Sequence, residues 1–145
     1  MTEEEIRALM EEEIDCGQIV AQKYADKTGL SVSQLRKMAS CYGAGMLRGE
    51  TCGAVIAAYN IIGLLYGHDK EHDAMQKGEM LRRMLTFNEL FGNEYSSFVC
   101  KDVMGADITT TEGNKKIAEG NLLMTRCPEV IHNVIKYLDQ VLEEE

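Results

Sequence analysis

Five cysteines are the residues of this chain whose type most directly suggests chemistry. They are Cys16, Cys41, Cys52, Cys100 and Cys127. A thiol acts as a nucleophile or a metal ligand in its ionised form, so clustered cysteines can exchange disulfides or bind zinc and iron–sulfur clusters. No C-x-x-C pair is present, so spacing alone predicts neither a zinc knuckle nor a thioredoxin-like motif. The cysteines stand tens of residues apart, and a helical bundle could still bring them together.

Two of these cysteines are predicted at helix amino termini. Cys52 follows Thr51, which is a candidate N-cap, and Cys127 precedes Pro128, a residue that suits the first position of a helix. We therefore expect Cys127 to be the N-cap of the last helix. Unpaired backbone N–H groups and the helix macrodipole favour negative charge at such positions, which promotes ionisation of a thiol.

The other two candidate thiols have less clear surroundings. Asp15 precedes Cys16 and would oppose its ionisation, and Lys101 follows Cys100, although adjacent residues of a helix point apart. Free cysteines are also common in helical cores, where they act as small hydrophobic residues. A non-catalytic interaction or scaffold protein with packing cysteines is therefore the alternative to a redox-active cysteine protein.

The elements that must position the cysteines are predicted to be helices. The chain has one proline and no alternating apolar runs, and its apolar residues recur at helical spacing between glycines. The pattern predicts helices over residues 2–27, 31–40, 52–66, 69–91, 95–104 and from Pro128 to the acidic end at 143–145. It also predicts a glycine loop at 43–49 and a polar, mobile or loosely helical connection at 107–120. We expect an all-α, compact bundle of about five to six helices around the buried central helix 52–66, in a single domain spanning residues 1–145.

Composition limits the partners and the compartment. The net charge of -9, with 15 basic and 24 acidic residues, disfavours nucleic acid and anionic membrane surfaces. No segment is apolar for the ~20 residues that a membrane-spanning helix needs, and the amino end has no basic, apolar targeting pattern. The sequence therefore predicts a cytoplasmic protein without membrane insertion. Five cysteines are many for a reducing compartment, which favours reversible redox or metal chemistry over fixed disulfides.

Other motifs give weaker indications. The segment from His68 to His72 matches the H-x-x-E-H pattern of some zinc peptidases, but we interpret it as the solvated start of a helix. Gly43 and Gly45 do not continue into a nucleotide-binding motif, and no C-x-x-C-H occurs, so neither nucleotide nor haem is expected.

A combination of motifs identifies a resemblance that extends over essentially the whole chain. The motifs are Asp15-Cys16-Gly17-Gln18-Ile19-Val20, the glycine loop Tyr42-Gly43-Ala44-Gly45-Met46, the run Gly49-Glu50-Thr51-Cys52-Gly53-Ala54-Val55, and single cysteines at Cys100 and Cys127. In their order and spacing they resemble the C_GCAxxG_C_C family of redox-active proteins, which is defined by four cysteines.

The resemblance implies roles for particular residues. Cys16, Cys52, Cys100 and Cys127 match the four shared cysteines, either as catalytic thiols or as ligands of zinc or an iron–sulfur cluster. Cys41 is additional, and Ala57 stands where the family motif has its last glycine. The redox partner is not identified by the sequence, and the apolar surface left over by so small a bundle is compatible with a homodimer.

Overall fold

The computed structural model describes residues 1–143, and most of these residues are in helices. The elements are α1 (Glu3–Glu11), α2 (Cys16–Gln22), α3 (Ala25–Thr28), α4 (Val32–Met38), an irregular turn (Gly45–Gly49), α5 (Gly53–Tyr66), α6 (Ala74–Glu94), α7 (Cys100–Met104), α8 (Thr111–Gly120), α9 (Leu122–Thr125) and α10 (Cys127–Glu143). The all-α prediction is confirmed. The described residues form ten α-helices, more than the five or six expected, and the last two residues of the predicted acidic end lie outside them.

The predicted first helix is three helices. Thr2 caps α1 as expected, because its Oγ1 accepts the Glu5 backbone N–H at 3.1 Å. The helix then ends where Glu13 takes a left-handed conformation with φ 65°. The Asp15 backbone N–H donates to Gln18 Oε1 at 2.9 Å, so a capping arrangement begins α2 at the next residue. A strong local cap therefore interrupts an apolar pattern that continues past it.

Local signals in the next segment predict its structure well. Gly29 has the left-handed φ of 77° expected after a helix end, and Ser31 with Gln34 forms the expected capping box of α4. The glycine loop contains four consecutive residues with positive φ, Ala44, Gly45, Met46 and Leu47, which we call the left-handed turn. Three of these four residues carry side chains, which L-residues rarely place in this conformation.

The long helices α5 and α6 differ from their predicted forms. Helix α5 packs against α2, α3, α6 and α10, and most of its first ten residues are buried, but Leu64 near its end is 49% exposed. Helix α6 begins at Ala74 because Asp73 accepts the Gln76 backbone N–H at 3.1 Å. The segment 67–73 with its two histidines is therefore not the start of this helix, and Gly92 lies inside the helix instead of ending it.

Buried apolar residues form two clusters. The main cluster is built by α1, α2, α4, α5, α6 and α10. The second is small and lies around α7 and α8, with four buried members, Cys100, Met104, Ala106 and Ile117. The connection predicted at 107–120 is thus largely the helix α8, which begins where Thr110 Oγ1 accepts the Gly113 backbone N–H at 2.9 Å.

Within residues 1–143, every helix is too short or too polar to cross a lipid bilayer.

Candidate functional site

Four of the five cysteines line one cavity of about 150 Å³. They are Cys16, Cys52, Cys100 and Cys127, which come from four different helices. Cys41 is exposed and is not part of the lining. The structure therefore brings together the four cysteines singled out in the sequence and leaves the additional one outside. All five are free thiols.

Each cysteine of this cavity stands at the start of a helix. Cys16, Cys100 and Cys127 are the first residues of α2, α7 and α10, and Cys52 is the N-cap of α5. The starts of α5 and α10 were predicted from sequence to within one residue. The N-cap of α5 is Cys52 instead of the predicted Thr51, and Cys127 is the first residue of α10 instead of its N-cap. The helix starts at Cys16 and Cys100 were missed, although Gln18, three residues after Asp15, was a usable capping signal for Cys16.

A short backbone bridge places Cys52 beside Cys100. Thr51 and Val99 form an isolated antiparallel bridge, and the Cys52 N–H donates to the Phe98 carbonyl at 2.8 Å. In return, the Cys100 N–H donates to the Glu50 carbonyl. In an antiparallel pair the residues that follow the two bridged ones lie diagonally on the same face. The bridge therefore turns both thiols toward the same side.

Two glycines allow the backbone to approach Cys16 and Cys100 closely. A Cβ on Gly53 would lie 2.7 Å from Cys16 Sγ and 2.4 Å from the Tyr42 carbonyl oxygen. A Cβ on Gly45, in the left-handed turn, would lie 2.9 Å from Cys100 Cβ and 2.5 Å from the Glu50 backbone nitrogen. The glycines of the two sequence motifs are thus a packing requirement of the cysteine cavity.

Burial opposes ionisation of all four thiols. It raises the pKa of Cys16 well above its usual value, that of Cys100 to about 11 and that of Cys127 to about 12. The pKa of Cys52 is also raised by burial, against the opposing effect of the Val55 and Ala54 backbone N–H groups on its sulfur. Desolvation therefore outweighs the helix-terminal stabilisation expected from the sequence.

The main chain around Cys52 adjoins two of the other thiols. The Thr51–Val99 bridge turns Cys52 and Cys100 toward the same side. Gly53, the residue after Cys52, approaches Cys16 so closely that a Cβ on it would lie 2.7 Å from Cys16 Sγ. Cys52 is therefore well placed to pair with Cys100 or with Cys16.

The cavity wall is mostly apolar and carries little charge. Its apolar side chains include Met10, Ile14, Val103, Met104, Leu123, Met124, Val130 and Ile131. The charged residues of the lining are Asp15 and Arg126. Arg126 Nη2 donates to the Val103 carbonyl at 3.2 Å. As whole residues, Cys52 and Cys100 are each 8% exposed, whereas Cys16 and Cys127 are half-buried.

The donor set resembles that of known metal sites, but its present geometry does not. Four cysteine sulfurs are the usual ligands of structural zinc and of iron–sulfur clusters. Nevertheless, in the part of the chain that the structure describes, no group of three or more His, Cys, Asp or Glu side chains is placed to hold a metal ion. The side chains as they stand therefore do not fit a single bound ion.

Comparison with known families gives one match. The model of the family described as "Putative redox-active protein (C_GCAxxG_C_C)" matches residues 14–141, a range that includes all four cysteines of the cavity. No curated protein and no solved structure matches the chain.

Proposed function

The chain belongs to the C_GCAxxG_C_C family, whose description is redox-active, and from that premise we propose that its four-cysteine cavity carries out thiol–disulfide exchange. The observation that supports this proposal is the convergence of four free thiols, from distant parts of the sequence, on one partly open cavity. If the cysteines acted only as small hydrophobic residues, one or two of them could be buried at one place by packing alone. Packing gives no reason for four of them to line the same cavity.

The exchange is a two-electron reaction between protein thiols and a disulfide substrate. Two thiols of the cavity and one disulfide RSSR give one protein disulfide and two RSH molecules. One S–S bond breaks and one forms, both protons pass to the released thiols, and two electrons move from the protein sulfurs to the substrate. Because the chain at Cys52 adjoins Cys100 and Cys16, Cys52 is proposed to be one member of the protein disulfide.

Thiol counting tests the proposal directly. In a Cys41→Ser background, which removes the exposed thiol, the reduced protein should show four reactive thiols after denaturation. Treatment with hydroxyethyl disulfide should lower this count to two or fewer, and peptide mapping should find a disulfide that includes Cys52. An unchanged count of four after such oxidation would contradict thiol–disulfide exchange.

Cysteine ligation of zinc or an iron–sulfur cluster is a second candidate, supported by the four-cysteine donor set. A bound iron–sulfur cluster would supply one-electron transfer. Anaerobic purification followed by absorbance, iron, sulfide and zinc analysis tests this candidate. Metal retained by the Cys41→Ser protein and lost from its Cys52→Ser derivative would favour ligation, whereas metal-free protein that still exchanges disulfides would favour the first candidate.

The remaining alternative is a scaffold protein whose cysteines only pack. In that case, replacing each cavity cysteine by Ser should cost modest stability without affecting any thiol chemistry. We further propose a cytoplasmic location and a single domain, because reversible thiol chemistry suits a reducing compartment and a chain of 145 residues suits one core.

A further inference from the structure

The thiol cavity has a buried floor and an open rim. Its floor includes Cys52 and Cys100, which are buried. Of the lining residues in the described part of the chain, the exposed ones are Asp15, Leu123 and Arg126. Leu123 is the apolar member of this rim, and it is 46% exposed although it belongs to the lining. Leu123 therefore stands where the cavity meets the solvent.

The helix that carries Leu123 is a single turn between two breaks. Helix α9 supplies both Leu123 and Met124 to the cavity lining. Before it, Asn121 has a left-handed φ of 48°, and after it, Arg126 separates it from α10. A helix of four residues has little stability of its own. The position of α9 at the cavity therefore depends on its contacts with neighbouring elements.

One hydrogen bond joins α9 to the amino-terminal helix α1. Arg7 Nε donates to the Met124 carbonyl at 3.3 Å, across 117 residues of sequence. Among the described residues, it is the one hydrogen bond from α9 to an element outside α8–α10. Helix α1 also contributes Met10 to the lining. The bond therefore holds two walls of the cavity together.

Resting on the proposed function, we propose that α9 is a gate that restricts the four-cysteine cavity to small disulfides, and that Arg7 is the positioning residue that holds this gate closed. Arg7 and Leu123 control access and take no part in the bond changes. The reaction remains the exchange given above, in which two cavity thiols form one disulfide and RSSR becomes two RSH molecules.

The size and the wall of the cavity define the substrate class. A cavity of about 150 Å³ holds a molecule of roughly the size of benzene. The wall is mostly apolar, so a charged substituent would lose its hydration there without gaining a partner for each polar group. The expected substrates are therefore low-molecular-weight disulfides whose substituents are neutral and contain only a few heavy atoms.

Alkylation with two reagents of different size tests the gate without requiring exchange. The wild-type protein is labelled in parallel with iodoacetamide and with a neutral biotin conjugate of iodoacetamide, and peptide mass spectrometry gives the rate at each cysteine. Exposed Cys41 is the internal reference for each reagent. Relative to Cys41, the bulky conjugate should label the cavity cysteines at least about tenfold more slowly than iodoacetamide does. Equal relative rates for the two reagents would overturn the inference.

Two substitutions should open the gate. Arg7→Gln removes the hydrogen bond to Met124, and Leu123→Ala shortens the apolar side chain at the rim. Each should accelerate labelling of the cavity cysteines by the bulky conjugate about threefold to tenfold, the range expected for losing one hydrogen bond, and change the iodoacetamide rate less than twofold. Equal acceleration with both reagents, or no labelling by either reagent in both variants, would overturn the inference.

Each substitution has a matched control. Glu3→Gln removes the 3.6 Å ion pair of Arg7, which is exposed and contributes little, but keeps the hydrogen bond to α9. Leu64→Ala truncates a leucine that is 49% exposed and lies outside the cavity lining. Both controls should keep the wild-type ratio of the two labelling rates. A change in either control as large as that in its partner variant would show that α9 is not a gate.

Two neutral disulfides of different size separate the gate from the proposed function. The wild-type protein should exchange with hydroxyethyl disulfide much faster than with an analogue whose hydroxyl groups carry branched glycol ethers, and Leu123→Ala should reduce this difference. Equal exchange rates with the two disulfides would overturn the gate and leave thiol–disulfide exchange standing. Absence of exchange with both disulfides, in the wild-type and the Leu123→Ala proteins, would overturn the proposed function instead.

Discussion

At the scale of single residues, ionisation of the cavity thiols is coupled to folding. Burial raises the pKa of Cys100 to about 11 and that of Cys127 to about 12, from an ordinary value of 9.0 in an exposed chain. Below pH 9 these thiols are protonated in both the folded and the unfolded protein, so their ionisation does not change the free energy of unfolding. As the pH rises above 9, the unfolded chain ionises first and is stabilised, so the folded protein loses stability until its own thiols ionise.

The first prediction concerns this alkaline loss of stability. We expect the free energy of unfolding to fall between about pH 9 and pH 12, and the fall to be roughly 1 to 3 kcal/mol smaller in Cys100→Ala, since one pKa unit corresponds to about 1.4 kcal/mol. Urea unfolding under reducing conditions at a series of pH values measures it. Comparison with Cys41→Ala removes the effect of losing an exposed thiol. If the free energy of unfolding fell with pH by the same amount in the wild-type, Cys100→Ala and Cys41→Ala proteins, the burial argument would be contradicted.

The second prediction concerns the central position of Cys52. Because the chain at Cys52 adjoins both Cys100 and Cys16, Cys52→Ser should reduce intramolecular disulfide formation much more than Cys16→Ser in the Cys41→Ser background. Peptide mapping after oxidation with a small disulfide gives the yield of each pair. Equal disulfide yields in the two variants would show that Cys52 is not the shared partner.

At the scale of elements, the third prediction compares glycines. Gly45→Ala places a Cβ 2.5 Å from the Glu50 nitrogen at a left-handed φ of 60°, and Gly53→Ala places one 2.4 Å from the Tyr42 carbonyl oxygen. Both should lower the free energy of unfolding by about 2 kcal/mol or more and increase labelling of the nearby cysteine. Urea unfolding and alkylation rates measure these effects.

Gly78→Ala is the control for the glycine variants. Gly78 lies inside α6, and a Cβ there would meet no atom within 4 Å. Alanine should therefore stabilise the helix by about 0.5 to 1 kcal/mol and leave the thiols unaffected. If Gly45→Ala and Gly78→Ala shifted the midpoint of unfolding in the same direction, the proposed close approach at Gly45 would be wrong.

Helix boundaries that depend on neighbouring residues were predictable from sequence, and those that depend on distant contacts were not. The caps at Thr2 and Ser31 and the left-handed Gly29 follow from short-range chemistry and are confirmed. The break at Glu13 was missed because apolar spacing continues across it. Helix α7 starts at Cys100 because Val99 bridges Thr51, and a contact between segments so far apart leaves no local signal.

Membership of the site was more predictable than its electrostatics. The family resemblance selected Cys16, Cys52, Cys100 and Cys127, and all four line the cavity. Helix-terminal position was expected to favour the thiolates of Cys52 and Cys127, but burial has the larger effect, and burial depends on the packing of the whole chain. Arg126 was not singled out, because a single arginine has no distinctive pattern in sequence.

At the scale of the whole molecule, the cavity lies between two apolar clusters of unequal size. Cys52 belongs to the main cluster and Cys100 to the small one around α7 and α8, while Cys127 packs against both. Local opening costs less free energy where few apolar contacts must be broken. The small cluster is therefore the part of the molecule whose opening would expose Cys100 to larger substrates.

The fourth prediction is that loosening the small cluster exposes Cys100 while the main cluster remains folded. Ile117 is 8% exposed and is one of the four buried members of that cluster, so Ile117→Ala should cost about 2 kcal/mol locally. Hydrogen exchange should become faster in residues 100–125 and remain slow in α5 and α10, and labelling of Cys100 should accelerate.

Leu85→Ala serves as the control for Ile117→Ala, because Leu85 is 64% exposed on α6 and contributes little to either cluster. Hydrogen exchange and Cys100 labelling should remain at wild-type rates in this variant. If Ile117→Ala instead accelerated exchange equally in residues 100–125, α5 and α10, both clusters would unfold together. Access to Cys100 would then require unfolding of the whole molecule, and the reactivity of the cavity would depend on Cys16 and Cys127 alone.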